Sequence, residues 1–191
     1  MDSDSLQTAK AALRQAQRLI RKGRDPADRH RASEAIISRI VSELRTQNHL
    51  KVAAFMAIRG EVNLEQLPRA LPKVSWYLPK VIQRDGPLSF GLWNPLSLKS
   101  GAFGILEPSG ELVDVHALDW VFVPGLGFTL NGDRLGMGGG FYDRTLNGYG
   151  GRVIGVAYDE EVLEEIPSGE YDRRVDSLVS PSGWHHCRLQ I

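Results

Sequence analysis

Trp120-Val121-Phe122-Val123-Pro124-Gly125-Leu126-Gly127-Phe128 leads, after three residues, into Gly132-Asp133-Arg134-Leu135-Gly136-Met137-Gly138-Gly139-Gly140-Phe141-Tyr142-Asp143-Arg144. Four apolar residues stopped by Pro-Gly read as a buried strand. The spacing behind the glycine cluster predicts a helix over 140–147. A glycine loop between a strand and a helix lies where open α/β sheets bind ligands, at the carboxyl ends of their strands. Glycines let backbone N–H groups approach an anion, and a following helix points its positive end at the same place. Arg134 and Arg144 add cationic charge, and Asp143 adds a carboxylate of the kind magnesium takes beside phosphate oxygens and water. The segment is therefore expected to be a nucleotide-phosphate cradle with its metal. It is not a P-loop, which needs Gly-Lys-Ser/Thr, nor a dinucleotide fingerprint, which needs glycine where Phe141 stands. Its competing reading is a glycine-rich surface loop.

Outward from this point strands and helices alternate. The run Lys51-Val52-Ala53-Ala54-Phe55-Met56-Ala57-Ile58 has strand length and ends at Arg59-Gly60-Glu61. Val74 to Pro79, Val153 to Ala157 and Val175 to Val179 read as further strands, with a short helical piece between Leu64 and Leu71. At the N-terminus Leu6, Ala9, Leu13, Ala16 and Ile20 recur at helical spacing, until Gly23 and Pro26 break the pattern. A second helix carries Ala32, Ile36, Ile37, Ile40, Val41 and Leu44, with Ser33 or Asp28 as its cap. Residues 81–117 mix Pro, Gly and Ser with small strands or loops. Alternating strands and helices, with strands that are continuous apolar runs, predict an α/β layered domain and a mainly parallel sheet. No internal repeat or linker divides the chain, so residues 1–191 are expected to form one domain.

The composition narrows the function classes. The chain has 191 residues, 42% hydrophobic and 24% charged, and a formal net charge of zero. Such a balance gives no general attraction to nucleic acid or to anionic lipid, so any anion site has to be built locally. A single cysteine, Cys187, excludes an internal disulfide and a multi-cysteine zinc site. The N-terminus MDSDSLQTAK lacks the charged and apolar regions of a secretory signal, and no stretch has the roughly 20 apolar residues that span a bilayer. A cytoplasmic protein without membrane or nucleic-acid partners is expected.

Three further groups of residues carry chemistry. Lys10 and Arg14 share a helix face and can grip a phosphate together; the alternative is a solvated basic face, since residues 1–31 hold eight Lys/Arg against four Asp. Met56 with Arg59-Gly60-Glu61 stands at a strand end, where a carboxylate can hold a guanidine-like edge such as that of a pterin, or can cap the next helix near Asn63. Asp172 or Asp176 can supply a second magnesium ligand, or both can belong to an ordinary loop before a strand. His185-His186-Cys187 and the four tryptophans are expected to be structural, and no Gly-x-Ser-x-Gly hydrolase elbow occurs.

These residues together resemble the 5-formyltetrahydrofolate cyclo-ligase (methenyltetrahydrofolate synthetase) family. The segment from Asp119 to Arg144 is similar to its signature, and the Phe-Tyr-Asp-Arg form with Met137 resembles the bacterial branch. Lys10-Ala11-Ala12-Leu13-Arg14 resembles the family's Lys-x-x-Leu-Arg, Arg59-Gly60-Glu61-Val62 its Arg-Gly-Glu motif, and Phe103 to Pro108 its Gly-Ile-x-Glu-Pro stretch. Pro167 and Tyr171-Asp172 through Asp176 are similar to its closing Pro…Asp-x-x-x-Asp. The chain departs from many relatives at Thr129, Met137, Gly139 and Tyr171, where charge or a histidine is common; Arg144 is expected to replace part of that charge.

The resemblance implies a three-layer α/β/α fold and an ATP-dependent ring closure of 5-formyltetrahydrofolate to 5,10-methenyltetrahydrofolate. ATP phosphorylates the formyl oxygen, N10 attacks the activated carbon, and phosphate leaves. Carried over by position, Lys10, Arg14, Arg134, Leu135, Gly136, Met137, Gly138, Gly139, Gly140, Phe141 and Tyr142 would bind ATP. Asp143 and Asp172 would bind Mg2+, while Met56 and Glu61 would contact the folate. Arg134 is the side chain expected to stabilise the transferring group, and Tyr142 is expected near the reacting centre. A monomer or weak dimer is expected, acting on small molecules only. The alternative is a relative of the same fold that binds folate or nucleotide without catalysis.

Overall fold

The computed structural model describes residues 2–101, 104–169 and 172–187. Phe103 and Tyr171, both singled out in the sequence, lie outside the described residues. Two long helices come first, α1 (Ser3–Gly23) and α2 (Pro26–Leu44), then β1 (Lys51–Ala53), the short α3 (Leu67–Ala70), β2 (Ser75–Val81) and β3 (Leu88–Leu92). β4 (Leu98–Ser100), β5 (Leu106–Pro108) and β6 (Leu112–Val113) follow, then β7 (Trp120–Val123), β8 (Gly127–Thr129), β9 (Arg134–Leu135) and α4 (Phe141–Thr145). The chain closes with β10 (Arg152–Val156), β11 (Val162–Leu163), β12 (Ser177–Val179) and β13 (Trp184–His186).

The main sheet has the order β13-β12-β10-β7-β1-β2-β3-β6. Its five central strands, β12 to β2 in that order, pair in parallel, and antiparallel β13, β3 and β6 lie outside them. Along β7 the side chains alternate between two cores. Trp120 and Phe122 join the cluster that holds Ile36, Ile40 and Leu44 of α2, whereas Val121 and Val123 join the cluster that holds Leu146 and Tyr149 behind α4. This period of two, buried on both faces, makes the sheet the middle layer of an α/β/α sandwich, as expected. The tryptophans are packing residues: Trp76 stacks on Phe122 with ring centroids 6.3 Å apart, and Trp120 lies 6.2 Å from Trp184.

Strand order fixes the place of the site. From β1 the chain moves to β2 on one side, then returns to β7 on the other side and continues outward to β10 and β12. The direction of progression reverses between β1 and β7, and the crevice at the carboxyl ends of two such strands is the ligand position of open α/β sheets. To the same end belongs a small sheet of order β11-β8-β9, which frames the glycine segment.

Several local expectations need correction. The run at residues 51–58 is in the sheet only to Ala53; beyond it the backbone turns away and passes Arg59 and Gly60, which have φ of 49° and 83°. The helix expected over 140–147 is Phe141–Thr145, too short for aligned peptide dipoles to sum to much. The cap of α2 is Asp25, whose carboxylate accepts from Ala27 and Asp28 N–H, with Pro26 at the first helical position; neither Asp28 nor Ser33 caps it. Ser33 is buried mid-helix and its hydroxyl accepts from Asn63 N–H.

The largest correction concerns α1. Ala16 and Ile20 of its apolar series are exposed, Ile20 by 47%, and the buried positions are Lys10, Gln17 and Arg21. Only Leu13 of that series joins a core, with Leu126, Leu135 and Ile166. Among the described residues no helix is long and apolar enough to cross a membrane.

Candidate active site

A cavity of about 410 Å³ opens at the reversal point between β1 and β7. It is lined by Lys10 and Arg14 from α1, Met56 and Glu61 from the loop after β1, residues 134–143, and Asp172. Every residue to which the family resemblance gives a binding or catalytic role is in that lining, although the segments are far apart in the chain; Arg144 and Asp176 are not.

The basic stripe of α1 is docked rather than solvated. Lys10 Nζ pairs with Asp172 Oδ2, and Arg14 Nε donates to Gly136 O at 2.9 Å. Arg18 reaches Met137 O at 3.1 Å, and Arg21 Nε reaches Glu161 Oε1 at 2.8 Å. The helix thereby holds the carbonyl side of the glycine loop. Burial, then the nearby Arg18 charge, lowers the Arg14 pKa.

Within the loop, Gly138 has φ of 104° and Gly140 has φ of 66°, conformations that L side chains rarely adopt. A Cβ on Gly140 would stand 2.6 Å from Arg144 Nη1. Glycine is therefore required by backbone shape as well as by access. Arg144 does not line the cavity: its guanidinium donates to Gly139 O at 2.9 Å and lies over the Phe141 ring, so it braces the loop from outside. It does not replace the cationic charge that Met137 and Gly139 lack. Thr129 is also away from the cavity, buried and hydrogen-bonded to Asp133.

Arg134 and Asp143 form an ion pair at 2.6 Å, with Arg134 almost fully buried and Asp143 31% exposed. Arg134 Nε has no hydrogen-bond partner among the described residues. The Tyr142 ring lies 5.6 Å from the same guanidinium. Burial first, and the Glu61 charge second, push the Tyr142 phenol far above its ordinary range, so it is a neutral hydrogen-bond donor across the working pH range.

Glu61 is buried, and its Oε2 accepts the Ile58 N–H at 3.0 Å. It lines the cavity and does not cap a helix. Burial raises its pKa to about 7, against the opposing Ile58 hydrogen bond and the Arg21 charge. Met56 lies beside it in the lining.

The two late aspartates separate. Asp172 lines the cavity and its Oδ2 also accepts the Gly169 N–H, whereas Asp176 accepts the Val153 N–H and pairs with Arg173, away from the cavity. Asp143 and Asp172 each commit one oxygen to a cation, and the other accepts no hydrogen bond from the described residues. No group of three His, Cys, Asp or Glu that could hold a metal occurs among the described residues. A pair of carboxylates in one cavity, without a complete protein cage, fits a hard cation that takes its other ligands from phosphate and water. His185 and His186 lie on β13, where His186 Nδ1 bonds the Ser177 hydroxyl at 3.1 Å.

Part of the lining had no role assigned from the sequence. Phe55, Pro79, Val81, Leu88 and Ile105 give an apolar surface, with Glu107 and Pro124 beside them. Pro79 and Val81 share β2, and Leu88 begins the neighbouring β3. Phe55 and Pro79 read only as parts of strand-like runs, Val81 and Leu88 fall in the mixed stretch 81–117, and Ile105, Glu107 and Pro124 lie in family-like segments without an assigned role. Arg21, Arg24 and Glu161 were also missed. They form a buried ion network in which Arg24 Nη1 lies 3.4 Å from Glu161 Oε1.

An apolar surface and a cationic glycine loop meet here at a strand-order reversal, the position where open α/β proteins bind ligands. The model of the 5-formyltetrahydrofolate cyclo-ligase family matches residues 6–181, and the chain belongs to that family. It is 38% identical over 143 residues to the 5-formyltetrahydrofolate cyclo-ligase of Escherichia coli K12, an alignment covering 69% of this chain and 78% of that protein. With the enzyme of that name from Haemophilus influenzae it shares 28% identity over 165 residues, 81% of this chain and 88% of the relative. The NMR structure of Aquifex aeolicus 5,10-methenyltetrahydrofolate synthetase superposes with a TM-score of 0.84 at 38% identity, covering 94% of this chain and 93% of the other. The Mycoplasma pneumoniae 5,10-methenyltetrahydrofolate synthetase shares the fold, with a TM-score of 0.75 at 21% identity over 90% of this chain and 98% of that one.

Proposed function

We propose that the chain is a cytoplasmic 5-formyltetrahydrofolate cyclo-ligase that uses ATP and Mg2+ to make 5,10-methenyltetrahydrofolate, ADP and phosphate. The observation that carries this reading is the convergence of Lys10, Arg14, Met56, Glu61, residues 134–143 and Asp172 on one cavity in a chain of this family.

The formyl oxygen takes the γ-phosphoryl group of ATP and ADP departs. N10 then attacks the formyl carbon, and the C–O bond breaks as phosphate leaves. The substrate supplies both nucleophiles, so the protein contributes position and charge. Lys10, Arg14 and the amides of the glycine loop hold the phosphates, and Arg134 offsets charge on the transferring group. Asp143 and Asp172 hold the magnesium ion, which when bound offsets phosphate charge. Glu61 accepts from the guanidine-like edge of the pterin, with Met56 beside it and the apolar residues of β2 and β3 against the rings. Tyr142, a neutral phenol beside Arg134, donates a hydrogen bond near the reacting centre.

Mixing the protein with Mg-ATP and 5-formyltetrahydrofolate should produce methenyl-folate absorbance, with no growth when either substrate is left out. Folded, magnesium-saturated protein that stays inert, or that consumes ATP equally without folate, would overturn the reading.

A further inference from the structure

Arg21 stands at the reversal point yet outside the cavity lining. It is 4% exposed, and its three nitrogens face three segments. Nε donates to Glu161 Oε1 at 2.8 Å, in the turn at residues 159–161, and Nη2 donates to Gly125 O in the loop after β7. Nη1 has no hydrogen-bond partner among the described residues and lies 3.9 Å from Glu61 Oε1, in the loop after β1. Its stem passes under Gly60: a Cβ there would meet Arg21 Cγ at 3.3 Å and Arg29 Nη1 at 3.1 Å. The glycine beside Glu61 thus lets the arginine pass between the two loops.

We propose that Arg21 is a positioning residue for folate recognition: its free Nη1 holds the Glu61 carboxylate, in charge and orientation, for the guanidine-like edge of the pterin, while Glu161 and Gly125 O fix the guanidinium. The proposal rests on the cyclo-ligase reading for the identity of the ligand, and on the geometry alone for the Arg21–Glu61 coupling.

The groups facing Glu61 set the direction of its titration. Arg21 from α1 and Arg59 from its own loop favour the carboxylate, whereas Glu161 opposes it. Arg29 Nη1 from α2 lies near Gly60, 3.1 Å from where a Cβ would stand. Tyr142 from α4 faces Glu61 as a neutral phenol, and the Tyr158 hydroxyl donates to Glu61 O at 3.1 Å. With its pKa near 7, Glu61 is only partly ionised at neutral pH, so each neighbouring charge changes the fraction ready to accept from a pterin N–H. Removing the Arg21 charge lowers that fraction. Removing the Glu161 charge raises it and releases Arg21 Nε.

The test follows the Glu61 carboxyl by 13C NMR in glutamate-labelled protein, assigned with Glu61→Gln, in the wild type, Arg21→Gln and Glu161→Gln. The pH dependence of kcat/KM for 5-formyltetrahydrofolate is recorded alongside at saturating Mg-ATP. Arg21→Gln should move the Glu61 titration up by about one unit or more, and Glu161→Gln should move it down. The acid limb of kcat/KM should follow in both, while KM for ATP stays put. Loss of packing alone would not drive the two variants in opposite directions. A Glu61 titration that does not move, shifts of the same sign, or an acid limb that ignores the titration would overturn the proposal. If Arg21→Gln does not fold, the downward shift in Glu161→Gln decides alone. Failure of the wild type to turn over folate would sink the cyclo-ligase reading and the folate part of the proposal, while the NMR titration still reports the coupling by itself.

Discussion

Arg134 Nη2 donates to Asp143 Oδ1 at 2.6 Å, so the most buried cation of the glycine segment and the carboxylate assigned to magnesium hold one another in place. A similar pairing joins Lys10 to Asp172. In each pair the two charges offset one another; on the proposed reading, Mg-ATP would draw the carboxylates to the metal and the cations to the phosphates.

Asp143→Asn removes the proposed metal ligand and leaves Arg134 without its charge partner. The magnesium concentration for half-maximal rate should rise about tenfold or more, with a smaller change in KM for folate. A magnesium titration of the rate checks this, and an unchanged curve would remove Asp143 from the metal shell. Arg134→Gln, by contrast, should lower kcat by about 100-fold or more with magnesium dependence retained.

Glu61 gives a stability prediction with a definite sign. Its pKa is raised from 4.5 to about 7 in the folded protein, so folding favours the protonated form. That contribution is fully present below pH 4.5 and is lost as pH rises through 7; the ionised group then costs a few kcal/mol relative to a neutral one. Glu61→Gln should therefore raise Tm relative to the wild type at pH 8 and leave it nearly unchanged at pH 4. Thermal denaturation at the two pH values is the check. The same variant should lose folate binding, because it keeps the shape and gives up the charge.

Gly138→Ala places a side chain at φ of 104°. The strain costs about 1–3 kcal/mol and is relieved by distorting the loop. KM for ATP should rise with KM for folate little changed, and steady-state kinetics with each substrate varied in turn will show it.

α1 meets the cavity chiefly through side chains that look solvated in the sequence. Arg14→Ala removes the 2.9 Å bond to Gly136 O as well as a cation from the lining. KM for ATP should rise about tenfold, and amide exchange in residues 134–140 should quicken if the helix holds the loop. Lys10→Ala should also raise KM for ATP, without the change in loop exchange, because Lys10 pairs with Asp172 and not with the glycine loop.

The strands and the site motifs were legible because their local chemistry is distinctive. Trp120 to Val123 reads as a buried strand and is one, and glycines 138–140 beside Arg134 and Asp143 suggested an anion site over a plain surface loop, on residues that the structure places in the cavity lining. The inward face of α1 was illegible: Leu6, Ala9, Leu13, Ala16 and Ile20 have the spacing of a core stripe, yet the buried positions are Lys10, Gln17 and Arg21, and the acceptors of Lys10 and Arg21 lie more than 100 residues away. Arg21 and Glu161, 140 positions apart, leave no mark in either local segment. Phe55, Pro79 and Leu88 could not be told from core residues, because an apolar side chain looks the same in a sequence whether it fills a core or lines a cavity. The strands β3 to β6 were obscured by their brevity and by the Pro, Gly and Ser between them.

The most direct measurement is a crystal structure of the protein with a magnesium complex of a non-hydrolysable ATP analogue and 5-formyltetrahydrofolate. The phosphates should lie within hydrogen-bond reach of the backbone amides of residues 134–140 and of the Lys10, Arg14 and Arg134 side chains, with Mg2+ on Asp143 and Asp172 and the pterin edge on Glu61. A triphosphate bound away from the glycine loop, or a pterin whose amino edge points away from Glu61, would contradict this.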